Sequence, residues 1–156
     1  MATQTISISD LNQFTGTEIG CSEWLTVDQT MIDSFADVTS DHQYIHVDVE
    51  GMKASSPSKK TIAHGFLTLS LLTTLLSSCT PKLKDIVTNI NYGFNKIRFV
   101  SPVYAGTNIR ARFVLSEINK KGRGEWQIQY NVTVETSNLD KPVLVAEWLV
   151  RLYAED

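Results

Sequence analysis

Cysteine is scarce: Cys21 and Cys79 are the only two in the 156 residues. They are too few and too far apart to frame a disulfide scaffold or a metal cluster, and their apolar surroundings suit buried thiols. An excess of basic residues is also missing. With 14 Lys and Arg against 17 Asp and Glu, the net charge is −3 and the pI near 5.6, so there is no electrostatic footprint for a nucleic-acid backbone. The opening residues Met1-Ala2-Thr3-Gln4-Thr5 lack the basic start and apolar centre of a secretory signal, and no lipidation or sorting motif is seen at the other end. A cytoplasmic location is therefore expected. No linker, repeat or low-complexity tract interrupts the chain, whose hydrophobic fraction is 42%. A single domain over residues 1–156 is expected, burying roughly two-thirds of the surface its unfolded chain exposes.

The most informative absence is local. From residue 61 to 81 there is not one Asp, Glu, Lys or Arg, although charged residues make up 20% of the chain. On a helical wheel Leu69, Leu71, Leu72, Leu75 and Leu76 fill one arc, while Ser70, Thr73, Thr74 and Ser77 fill the other. Such a helix has no ordinary solvent face and needs cover on both sides. A membrane span is the rival reading, but Gly65, the many Ser and Thr residues and the lack of flanking aromatic anchors count against it.

Around this segment the pattern is mostly that of strands. Residues 17–25 read as a first strand, and Thr26-Val27-Asp28-Gln29 has the form of a capping box opening a helix with Met31, Ile32 and Phe35 as its apolar stripe, ending near Val38. Residues 41–60 lose all periodicity and carry Gly51, Ser55, Ser56, Pro57 and Ser58, which makes them a candidate binding loop. After Pro81 the sequence alternates: Ile90, Tyr92 and Phe94; then Ile109, Ala111, Phe113 and Leu115; then Trp126, Ile128, Tyr130, Val132 and Val134; then Leu144, Ala146, Trp148, Val150 and Leu152. Polar residues occupy most of the intervening positions, as in an antiparallel sheet with one solvated face.

A long helix followed by a run of antiparallel strands is the order of an α+β hot-dog fold, in which a curved sheet wraps around one central helix. Open sheet edges and the second helix face predict a homodimer or a multiple of one.

Chemistry concentrates in and beside the loop. All three histidines, His42, His46 and His64, lie there, with Asp41 directly before the first. His42 and His46 have the i, i+4 spacing of helical zinc ligands, but Gln43 stands where a zinc protease carries its general-base Glu, and no further ligand follows at useful spacing. Taken alone, Asp41 also reads as a turn or capping residue and His46 as a loop histidine.

The segment Phe35-Ala36-Asp37-Val38-Thr39-Ser40-Asp41-His42-Gln43-Tyr44-Ile45-His46-Val47-Asp48, linked to Thr61-Ile62-Ala63-His64-Gly65-Phe66-Leu67, resembles the hydratase signature of the MaoC-like (R)-specific enoyl-CoA hydratases. The likeness continues through residues 90–99 and 146–151, where the wording is most similar to the NodN-like branch, so it covers essentially the whole chain. It implies reversible addition of water to trans-2-enoyl thioesters, with no cofactor beyond the coenzyme A or acyl-carrier phosphopantetheine borne by the substrate, and no metal. Asp41 and His46 match the family's catalytic pair, and Gly65 matches the residue whose backbone N–H faces the thioester oxygen. Asp41 and His46 are five residues apart and would point about 140° apart on a regular helix, so they share a water only if the chain turns between them. His64 is expected to fix the loop against the helix, and Tyr44 and Asn91 are candidate substrate contacts.

Three departures from the family pattern bear on specificity. Gln43-Tyr44 replaces the Asn-Pro of many hydratases, Ser40 replaces the glycine usual before the Asp, and Ser58-Lys59-Lys60 replaces a glycine-rich lead into Thr61. Lys59 and Lys60 are thereby candidates for the phosphates of coenzyme A. Two alternatives remain on the same fold: an acyl-CoA thioesterase, which commonly needs a carboxylate on or near the central helix where residues 61–81 have none, and a non-catalytic acyl-thioester binder, which has no need of an acid–base pair.

Overall fold

Three long segments of alternating polarity build most of the sheet. The computed structural model describes residues 5–154, with strands β1 (Thr5–Ile6), β2 (Glu18–Cys21), β3 (Leu25–Val27), β4 (Lys82–Leu83), β5 (Ile86–Phe99), β6 (Thr107–Gly122), β7 (Glu125–Thr136) and β8 (Leu144–Ala154). In the main sheet β2 and β3 both pair with β6, and the order runs on through β7 and β8 to β5, with every pairing antiparallel. β1 and β4 form a small separate parallel pair. The inward set predicted from alternation is the core: Ile109, Phe113, Leu115, Ile128, Val134, Leu144 and Trp148 are all buried. Removing side chains of this size from water stabilises the fold by about 1.5–3 kcal/mol each.

The helices lie between β3 and β4 in sequence, apart from α1 (Ile8–Asn12). They are α2 (Gln29–Thr39), α3 (Tyr44–Val47), α4 (Val49–Ser55), α5 (Gly65–Ser70) and α6 (Leu72–Cys79). The uncharged segment is thus two helices rather than one. Its hydrogen bonding nonetheless runs through the junction, with Leu71 N–H on Leu67 O at 3.1 Å and Leu75 N–H on Leu71 O at 3.0 Å, and Leu71 keeps right-handed helical angles. Leu67, Thr68, Leu72 and Leu75 face the core, while Phe66, Ser70, Thr73, Thr74 and Ser77 are exposed in the single chain. No helix among the described residues is long and apolar enough to cross a membrane.

Several local expectations are corrected. The first strand is divided into β2 and β3, and Thr26 lies within β3; the true N-cap of α2 is Asp28, whose carboxylate accepts from Met31 N–H at 2.9 Å. Residues 41–60 are not an unstructured loop, because α3 and α4 occupy most of them, the second capped by Asp48 on Gly51 N–H at 2.9 Å. Ile90, Tyr92 and Phe94 do not share one face. Register shifts at Asn91/Gly93 and Phe94/Lys96 mark bulges that reverse the alternation, so Ile90 and Tyr92 are exposed while Phe94 stacks on buried Trp148 at 6.1 Å. The two thiols are partly buried rather than fully so, and burial, with Cys21 and Glu18 adding, pushes Cys79 up to about 11.

α2 ends where Ser40 enters the left-handed region at φ 58°, and the N–H groups of both Ser40 and Asp41 turn back to the Ala36 carbonyl. A side chain is strained at such a position, and glycine is not. Ser40→Gly should raise stability by about 0.5–1 kcal/mol, measured by urea unfolding; a loss of stability would contradict the strain assigned to this cap.

Candidate active site

The Ser40 reversal provides the turn that Asp41 and His46 need in order to approach each other. It ends α2, leaves residues 41–43 irregular and starts α3 at Tyr44 in a new direction. A carboxylate oxygen of Asp41 and one ring nitrogen each from His46 and His64 then lie within 4.8 Å of one another. Both imidazoles are buried, at 7% and 3% exposure, whereas the Asp41 side chain is 55% exposed and open to a small ligand.

The hydrogen bonds fix the imidazole tautomers. His46 Nδ1 lies 2.5 Å from the Ile62 carbonyl, which can only accept, so Nδ1 carries the proton and the neutral ring presents its lone pair at Nε2. His64 Nε2 lies 2.9 Å from the Asp41 main-chain carbonyl, so it is the donor there, and Nδ1 is left as a buried nitrogen without a partner. His64 thus clamps the Asp41 backbone, and its ring stacks on His46 with centroids 3.7 Å apart and planes at 25°. Phe35 closes the far side of His64 at 5.1 Å.

Gly65 is the first residue of α5, after N-cap His64 with φ −56° and ψ 135°. Its backbone N–H has no acceptor within the helix. A cavity of about 330 Å³ lies over it, lined by His46, Ile62, Ala63, Gly65, Thr68, Phe99 and residues 100–103 and 143. A Cβ on Gly65 would stand 3.0 Å from the Phe99 ring, so this position has little room for a side chain. The cavity, His46 and the Gly65 N–H meet at the start of the uncharged helix; the Asp41 carboxylate does not line the cavity and is joined to this place through its approach to His46 and His64.

The remaining sequence candidates are elsewhere. Tyr44 is 61% exposed and does not line this cavity. Asn91 lines a different cavity of about 320 Å³ along α6, where its Nδ2 is 3.4 Å from Thr73 Oγ1. Lys59 and Lys60 are exposed, Lys59 at φ 55°, and Lys60 borders a third, smaller cavity with Ser58, Tyr104 and Asn138. The structure therefore does not bring Tyr44, Asn91, Lys59 or Lys60 into this cavity: Asn91 and Lys60 line other cavities, and the Tyr44 side chain, on the same short helix as His46, is exposed. His42 turns away as well and pairs with Asp37 at 2.9 Å, not with His46.

A metal reading of Asp41, His46 and His64 meets a geometric obstacle. The two rings lie face to face, so their in-plane lone pairs run nearly side by side rather than converging on an ion that takes imidazole nitrogens at about 2.0–2.1 Å. Periodicity gave no indication of three further participants. The Ile62 carbonyl, the Phe99 ring and Gln29, which bonds the His46 carbonyl at 2.9 Å and Thr61 Oγ1 at 2.5 Å, all act over long sequence separations.

Comparison with known proteins gives the family and the fold. A family model described as MaoC like domain matches residues 10–138. The chain is 48% identical over 144 residues to nodulation protein N of Rhizobium meliloti, covering 92% of this chain and 89% of that protein. It is 43% identical over 148 residues to 3-hydroxyacyl-thioester dehydratase Z of Mycobacterium tuberculosis, covering 95% and 97%. The crystal structure of a dehydratase from Rhodospirillum rubrum superposes with a TM-score of 0.75 at 18% identity, covering 97% of this chain and 99% of that one, a likeness of fold.

Proposed function

The chain belongs to the MaoC-like domain family of hot-dog hydratases and dehydratases, and from that premise we propose that it is an (R)-specific enoyl thioester hydratase, working reversibly as a 3-hydroxyacyl thioester dehydratase. The observation that carries the reading is the approach of an Asp41 carboxylate oxygen to a ring nitrogen of His46 within 4.8 Å, with the His46 Nε2 lone pair left free by the Nδ1–H bond to Ile62 O and the Gly65 N–H without an intrahelical acceptor. Two acceptors side by side hold one water by its two hydrogens. Asp41 takes a proton as the water oxygen adds to C3 of the enoyl group, and electron density moves to the thioester oxygen. That oxyanion meets the Gly65 N–H and the positive end of the helix. The proton then passes to C2, so that H and OH have been added across the double bond and the pair is restored. No metal or redox cofactor enters this scheme. Coenzyme A or acyl-carrier phosphopantetheine arrives with the substrate, in the cytoplasm, and Lys59 and Lys60 remain proposed contacts for its phosphates.

Purified protein with crotonyl-CoA and longer 2-enoyl-CoAs should lose the conjugated enoyl absorbance, release no free thiol and yield (R)-3-hydroxyacyl product. Thiol release without hydroxyacyl product would replace hydration by hydrolysis, and binding without turnover would make the protein an acyl-thioester binder. Loss of activity on chelation would revive a metal at Asp41, His46 and His64.

We propose a homodimer, or a multiple of dimers, as the working form. β5 is a 14-residue edge strand with exposed Val87, Ile90, Tyr92 and Phe99, and Phe66 projects from the helix at 66% exposure. A long edge carrying apolar side chains is a surface that soluble proteins usually cover. Sedimentation in dilute solution should give twice the chain mass or a multiple of that, and an active monomer would refute the assembly.

A further inference from the structure

We propose that Gln29 is a positioning residue for His46, an assignment that rests on the hydratase reading above. Gln29 is the first residue of α2, but it takes no part in capping, since Asp28 does that. Its side chain reaches across the molecule instead. Nε2 donates to Asp33 Oδ1 at 2.7 Å and to the His46 main-chain carbonyl at 2.9 Å, and Oε1 accepts from the Thr61 hydroxyl at 2.5 Å. A primary amide has two N–H donors and a carbonyl, and every one of them is engaged. The orientation is unique, because a carbonyl and a carboxylate only accept.

These bonds close a ring of contacts around His46, the partner of Asp41 in holding the water. Thr61, 1% exposed, is followed by Ile62, whose N–H bonds the Ile45 carbonyl at 2.9 Å and whose own carbonyl takes the His46 Nδ1 proton. Gln29 holds His46 by its backbone and Thr61 by its hydroxyl, and so fixes the distance between the histidine and the carbonyl that sets its tautomer. Without the amide, α3 and the 61–62 segment are still joined by Ile62 N–H, but the lateral placement of His46 is free to drift. A shift of about 1 Å in a catalytic group is enough to cost about 10²-fold in rate.

Gln29→Met keeps the length of the side chain and removes all three bonds. Gln29→Glu keeps the acceptor and turns a second oxygen on the His46 carbonyl and the Asp33 carboxylate. Thr61→Val deletes one bond from the other end. In Gln29→Met, kcat for crotonyl-CoA should fall about 10- to 100-fold with KM changed less than about threefold; Gln29→Glu should fall at least as far, and Thr61→Val less. The second readout needs no substrate. In ¹⁵N-labelled protein, His46 should give the Nδ1–H signature in the wild type and an averaged, two-tautomer signature in Gln29→Met. Unchanged His46 nitrogen shifts with unchanged kcat, whatever happens to the melting temperature, would reduce Gln29 to a structural bond. Should the wild type hydrate no enoyl thioester, the hydratase reading fails by itself, and the nitrogen signature alone decides whether Gln29 sets the state of His46.

Discussion

Asp41→Asn should lower turnover by about 10²- to 10⁴-fold, the usual contribution of a positioned base, and leave the fold intact. The side chain is 55% exposed, so exchanging its oxygen for an amide strands no buried partner, and unfolding free energy should move by less than about 0.5 kcal/mol. His46→Ala should lose turnover on the same scale but differ in stability. It removes the donor from the Ile62 carbonyl and bares the stacked face of His64, a loss of about 1–3 kcal/mol for an unsatisfied buried acceptor. If both residues hold one water, the double variant should lose far less than the product of the single losses, because groups that act as a unit are non-additive. Asp37→Asn and Asp48→Asn serve as controls. Asp37 faces His42, and Asp48 caps α4 through an oxygen that Asn retains. Near-normal hydration by Asp41→Asn would return Asp41 to a turn residue.

How far this site was readable in the sequence depends on the range of the interactions. Period-two alternation in β6, β7 and β8 is a local property, and it gave the core residues Phe113, Ile128 and Trp148 directly. α3 and α4 have 4 and 7 residues, too short for an amphipathic period to show, so their sequence looks like loop. The face of β5 departs from simple alternation because a bulge changes the count by one residue, which moves every following side chain to the other side. At the site, the Asp41–His46 spacing has meaning only through the resemblance to hydratases, since a lone pair of that kind is also what a turn provides. The stacking of His64 on His46 and the bonds from Gln29, separated by 17 and 32 residues, have no local signature. In sequence Gln29 has the place of the last residue of a capping box, but Asp28 is the cap and the Gln29 amide serves the distant contacts instead.

The oxyanion assignment of Gly65 can be separated from its packing by two substitutions. Gly65 is the first helical residue, the position at which proline is best tolerated, because the missing N–H has no intrahelical acceptor there. The preceding residue, His64, already has the extended ψ of 135° that a following proline demands. Gly65→Pro should therefore fold while deleting the single N–H proposed to meet the thioester oxygen. Both it and Gly65→Ala place a Cβ 3.0 Å from the Phe99 ring, and Phe99 is 48% exposed and able to give way. The alanine variant thus carries the crowding and keeps the donor. Gly65→Pro should fall below Gly65→Ala in kcat by about 10²- to 10³-fold, the loss that follows removal of an oxyanion donor, with similar circular dichroism and melting temperature for the two. Equal activities would mean that the N–H does not meet the developing charge, and Gly65 would then be conformational room for Phe99 and the entering acyl group.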